Sequence, residues 1–64
     1  MLKINGESKD LDGVSLAEYL AQSPFDPRRI AVERNGAIVP KSAYADTQLS
    51  DGDVIEIVSL VGGG

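Results

Sequence analysis

The chain has 64 residues and a formal net charge of −4, from ten Asp and Glu against six Lys and Arg, and it contains neither Cys nor His. That length holds one domain, and folding it buries only about 60% of the extended chain's surface, so binding is expected on an external surface rather than in an enclosed cavity. The missing Cys and His exclude disulfides, thiolate nucleophiles, iron–sulfur clusters and the commoner transition-metal sites, and the acidic balance, with no basic cluster beyond Arg28-Arg29, disfavours nucleic acid as a partner.

The first stretch, MLKING, alternates Leu2 and Ile4 with Lys3 and then reaches Asn5-Gly6, a pair that takes the positive φ angles of a tight hairpin turn. It predicts a first strand and a polar return strand over Glu7 to Leu11 at a sheet edge, with the register between them left open by the pattern. Ser15-Leu16-Ala17-Glu18 has the spacing of a capping box, so a helix starts at Leu16, with Leu16, Tyr19 and Leu20 on one face and Val14 and Tyr19 placed as a hydrophobic staple. Pro24 ends it, because the residue before a proline is pushed out of helical geometry, and Asp26-Pro27 adds a second break.

RRIAVERNGAIVP carries the second Asn-Gly pair between two β-rich runs, and a two-residue turn at Asn35-Gly36 sets Val32 opposite Val39. Both Asn-Gly pairs are read as turns and nothing more. Pro40 closes the outgoing strand, Ser42 to Ala45 make one short turn of helix, and Asp51-Gly52-Asp53 turns the chain into Val54 to Val61. There Ile55 and Ile57 mark one face while Val54, Val58 and Leu60 make the other largely apolar too, which places this strand inside a sheet. Asp51, Asp53 and Glu56 lack the spacing of a calcium loop and Asp51-Gly52-Asp53 is read as a turn, so no metal site is expected, and Arg28, Arg29 and Arg34 are read as a solvated rim that could meet an acidic partner. No apolar run approaches the roughly 18 residues of a membrane span, and the first residues lack the layout of a secretory signal, so a cytoplasmic protein without membrane contact is the expectation.

NGE at Asn5 to Glu7, AVERNGAIVP, the spacing of Tyr44 and Leu49, DGDVIEIV and the closing VGGG together span nearly the whole chain. In these stretches it resembles the sulfur carrier proteins of thiamine (thiazole) biosynthesis, a ubiquitin-like family. Ser59 and Leu60 depart from the aromatic or basic residue often found there in that family. The resemblance implies an α+β ubiquitin-like β-grasp fold, a four- to five-stranded mixed sheet with one main helix across a face. It divides the chain into a β-grasp domain over 1–60 and a flexible glycine tail over 61–64.

A free α-carboxylate, with a reference pKa of about 3.3 to 3.7, is anionic at neutral pH and a poor electrophile, so a reactive Gly64 needs activation. The resemblance implies that an adenylyltransferase supplies it with ATP and magnesium, that a relay involving an enzyme such as cysteine desulfurase adds sulfur as a thiocarboxylate, and that thiazole synthase takes the sulfur up. The chain itself would then be a protein co-substrate rather than an enzyme, binding no cofactor and monomeric when free. Gly64 carries the chemistry in this reading, while Leu60, Val61, Gly62 and Gly63 meet partners. Four extended residues reach about 13 to 14 Å, and glycine permits close approach inside another protein's active site. The alternatives are the small subunit of molybdopterin synthase, another thiocarboxylate carrier, or a ubiquitin-like modifier.

Overall fold

The computed structural model describes residues 1–60. Its order is β1 (Leu2–Ile4), β2 (Glu7–Lys9), α1 (Leu16–Ala21), β3 (Ile30–Arg34), β4 (Ala37–Val39) and β5 (Val54–Ser59), with single 3-10 turns at Pro27–Arg29 and Lys41–Ala43. The strands form one mixed sheet in the order β2-β1-β5-β3-β4. β5 runs parallel to β1 and antiparallel to β3, so the last strand is the centre of the sheet. A five-stranded mixed sheet with one helix across a face is the β-grasp arrangement expected from the sequence.

Both hairpins turn at their Asn-Gly pairs. Asn5 and Asn35 sit at φ 52° and 53°, and Gly6 and Gly36 at 84° and 87°, the left-handed pair of a type I′ turn. The second hairpin has the expected register, Val32 opposite Val39. In the first, Leu2 stands opposite Lys9 and Ile4 opposite Glu7, and the return strand is shorter than the expected run to Leu11.

The capping box is formed. The Glu18 N–H donates to Ser15 Oγ at 3.0 Å, and the Ser15 N–H donates back to Glu18 Oε1 at 3.1 Å. Leu16 and Leu20 are buried beneath the helix while Tyr19 lies at its flank, half-buried. The helix stops at Ala21, before Pro24 can act. Ser23 ends it: its hydroxyl donates to the Leu20 carbonyl at 2.8 Å and accepts the Phe25 N–H at 3.1 Å, satisfying groups the helix leaves open. The second 3-10 turn spans Lys41–Ala43, starting one residue ahead of the expected Ser42 to Ala45.

The core lies between the helix and one face of the sheet. Leu2 and Ile4, Ile30 and Val32, and Ile55 and Ile57 point into it from three neighbouring strands, Leu16 and Leu20 cover them, and Tyr44 and Leu49 close the side. Burial pushes the Tyr44 phenol above its ordinary pKa.

The other face of the sheet departs from the expectation. β5 is internal, yet Val54 is 48% exposed and Val58 54%, against 0% for Ile55 and 5% for Ile57. The strand is central because it is paired on both edges, and that lateral pairing is independent of whether a second layer covers each face. Among the described residues, the one α-helix covers one face only.

Candidate functional site

The site called out by the sequence begins where β5 ends. Leu60, 57% exposed, stands clear of the core, and its N–H donates to the Arg29 carbonyl at 2.7 Å, which holds the departing chain against the entry to β3. Beside it lies a depression of about 410 Å³ lined by Pro24, Phe25, Asp26, Arg28, Arg29, Ile30, Ser59 and Leu60. Val61, Gly62, Gly63 and Gly64, and with them the proposed tail over 61–64, lie outside the described residues.

The rim of this depression is organised by Asp26. Its Oδ1 accepts the Arg28 N–H at 3.0 Å, capping the 3-10 turn, and its carboxylate also faces the Arg28 guanidinium at 3.3 Å and Arg29 Nε at 3.8 Å. The hydrogen bond from the Arg28 side chain, then that from its backbone, holds the Asp26 carboxyl below the usual carboxylate range. Lys41 braces the same segment from below, donating through Nζ to the carbonyls of Pro27 and Ile30. Arg28 and Arg29 are a solvated rim, as expected.

Arg34 is not part of that rim. It follows Ile30 and Val32 in phase, so it turns to the inner face, where Nε and a terminal nitrogen both lie 3.0 Å from Asp53 Oδ2. Asp53 is the one buried charged side chain among the described residues, and it also accepts from Asn35 Nδ2 at 3.1 Å and the Ser50 N–H at 3.0 Å. Burial alone would raise its pKa; the bonds from Asn35, Ser50 and Arg34 outweigh that and leave the carboxyl below its ordinary value. Reading Asp53 as a turn residue therefore understates it: it fastens the start of β5 to the second hairpin.

The two asparagines also do more than turn the chain. Asn5 Nδ2 donates to the Ile57 carbonyl at 3.2 Å and Oδ1 accepts the Ile57 N–H at 2.8 Å. Asn35 Oδ1 accepts the Val54 N–H at 2.8 Å while its Nδ2 holds Asp53. Each side chain extends the hydrogen-bonding of the centre strand where the flanking strand has already turned away. The only sequence signal for this was the choice of Asn rather than Asp or Gly at the first turn position. Among the described residues no three acidic groups converge as a metal site would require, and no helix is long and apolar enough to cross a membrane.

Chemically, the described part of the site offers a strand end paired to its neighbour, an exposed leucine and a partly apolar depression, with the Asp26 carboxylate on its rim engaged by Arg28 and Arg29. It can hold and aim a following segment.

Comparison with known proteins agrees with this geometry. The chain is 41% identical over 68 residues to the sulfur carrier protein ThiS of Bacillus subtilis, with all of both chains covered. It is 47% identical over 64 residues to a thiazole synthase of Paramagnetospirillum magneticum, covering 98% of this chain and 20% of that one, and it spans about a fifth of the length of the thiazole synthases it matches. The crystal structure of thiamine biosynthesis protein ThiS from Geobacter metallireducens superposes with a TM-score of 0.78 at 31% identity, over 98% of this chain and 97% of that one. The ThiS family model matches residues 2–64, a span that takes in the hairpins, the centre strand and the closing glycines, and the chain belongs to the ThiS family.

Proposed function

We propose that this chain is the sulfur carrier of thiamine thiazole biosynthesis. The observation that carries the reading is the extent of the family match, residues 2–64, which reaches from the first strand to Gly64. Full-length similarity to the Bacillus subtilis carrier supports the same reading. The match to thiazole synthases, each containing a region like this chain, favours the thiamine branch over molybdopterin synthesis and supports taking thiazole synthase as the acceptor of sulfur.

In this reading an adenylyltransferase joins the Gly64 carboxylate oxygen to the α-phosphorus of ATP, with magnesium, releasing pyrophosphate. A persulfide sulfur from the desulfurase-linked relay then attacks the acyl carbon and AMP leaves. A thiol cleaves the resulting acyl disulfide, taking the outer sulfur into a disulfide and leaving a thiocarboxylate on Gly64. Thiazole synthase removes that sulfur and the carboxylate returns. The chain's own residues bind and position; none catalyses, so it acts as a co-substrate. We place the functional division at residue 60, with 1–60 as the docking body and 61–64 as the reactive tail, and a cytoplasmic setting suits its partners.

The test is intact-mass measurement after incubation with ATP, magnesium, the cognate adenylating enzyme and a sulfur donor. The parent chain should gain the mass of one oxygen-to-sulfur exchange. Deleting Gly64 shortens the reach by about 3.5 Å, and adding a residue beyond it blocks the carboxylate. Both variants should fold and stay unmodified, and Gly63→Val should react poorly because a β-branched side chain narrows the backbone angles and obstructs a glycine-fitted channel. Modification of the deleted or extended variant at the parent's rate would remove Gly64 from the chemistry.

A further inference from the structure

The outer face of the sheet presents a pattern that the fold does not require. Glu33 on β3 and Glu56 on β5 are direct cross-strand partners, both exposed, and neither enters an ion pair among the described residues. Along β5, Glu56 is flanked by Val54 and Val58; across β4, Glu33 faces Ile38, 63% exposed. Like charges directly opposite one another destabilise a sheet, and apolar side chains in water contribute nothing to the core. Two unfavourable features thus occupy one spot on the exposed face.

Both become favourable together against one kind of surface. An arginine or lysine placed between the carboxylates would pair with both, and apolar contacts around it at Val54, Val58 and Ile38 would exclude water and strengthen that attraction. A second copy meeting this face with its own cannot supply this, because it would set another Glu33–Glu56 pair against the first, and each chain carries a net charge of −4 overall. This chain's own Arg28 and Arg29 are engaged by Asp26, and Lys3, opposite Val54, pairs with neither glutamate. The face continues along β5 to Leu60, so a partner seated on it also meets the point where the closing segment departs.

We propose that Glu33 and Glu56 form a paired-carboxylate socket, ringed by Val54, Val58 and Ile38, that docks a partner protein through an inserted arginine or lysine. The occupant is the thiazole synthase that the carrier serves, an enzyme whose relatives carry a region like this chain within one polypeptide. This assignment rests on the carrier reading above.

The experiment measures binding of the full chain to the cognate thiazole synthase at two salt concentrations, for the parent, the Glu33→Gln/Glu56→Gln double variant and the Glu33→Lys/Glu56→Lys double variant. The double Gln variant should bind at least about tenfold more weakly and lose most of the salt dependence, and the double Lys variant should not bind measurably. The urea midpoint of the double Gln variant should stay level or rise, which a merely structural pair would not allow. Thiocarboxylate formation by saturating adenylating enzyme should persist in the double Gln variant; its absence in the parent would sink the carrier reading, while the binding series judges the socket separately. Unchanged binding of both variants, a lowered urea midpoint, self-association of the parent through this face, or a loss confined to the adenylating enzyme would overturn the proposal.

Discussion

The two faces of the sheet are built from the same strands and obey opposite rules. On the inner face, Ile55 and Ile57 of β5 meet Ile4, Val32 and the helix, and almost nothing is exposed. One residue out of phase, Val54, Glu56 and Val58 face outward with no layer of the described residues above them. The inner face carries stability and the outer face carries little, which leaves the outer one free to be shaped for recognition. Substitutions of similar size on the two faces should therefore separate folding from binding.

The widest separation is expected within β5 itself. Ile57→Ala should cost about 2 to 5 kcal/mol through lost burial and the cavity left behind. Its neighbour Val58→Ala should cost under about 1 kcal/mol, since its side chain is half in water. Urea melts of the two variants check this directly, and equal losses would break the comparison.

Asp53 sharpens it, because it is an inner-face polar group. Asp53→Ala should cost about 1 to 3 kcal/mol, as Arg34, a third exposed, can regain water once its partner is gone. The folded carboxyl lies below its ordinary value of 3.8, so its contribution is complete above about that pH and disappears as the pH falls through the lower folded value. Urea midpoints followed downward from pH 5 should fall more steeply in the parent than in Asp53→Asn, which should already be weaker at pH 7.

Ser15→Ala acts on the helix that covers the inner face. Losing the cap should cost about 0.5 to 2 kcal/mol, less than the core substitution, with the change visible in helix-sensitive circular dichroism on heating. Leu60→Asp should be the quietest in melts, within about 0.5 kcal/mol, because the leucine is more exposed than buried. Its effect should appear instead as weaker binding to the adenylating enzyme and thiazole synthase; loss of folding would mean that Leu60 belongs to the core.

Local chemistry was legible in the sequence wherever the interacting residues are close along the chain. Ser15 and Glu18, three apart, announced the helix start, and Asn35-Gly36 set the register of Val32 and Val39. Apolar residues on both faces of the stretch from Val54, interrupted only by Glu56 and Ser59, identified the centre strand. What escaped was long-range polar contact: nothing near Asn5 reveals that its amide reaches Ile57, 52 residues away, or near Arg34 that its guanidinium turns inward to Asp53. The covering of only one face escaped for a related reason. An apolar pattern on both sides of a strand reports affinity for burial, and a partner protein satisfies that as well as an intramolecular layer does. For the candidate site, the strand end and Leu60 were foreseen, while Asp26, Phe25 and Lys41 were not, since their convergence depends on how the Pro27–Arg29 turn folds back.

The position of β5 has a consequence for how the protein is made. Synthesis delivers β1–β2 and β3–β4 first, two hairpins that share no edge and would each be marginal alone. Only when Val54–Ser59 emerges does either hairpin gain its neighbour, and Asn5 and Asn35 find the backbone groups they hold. A nascent chain halted before Val54 has no sheet to close and stays open to proteases, so the cell's ordinary disposal of unfolded polypeptides also removes carriers whose translation never reached the centre strand.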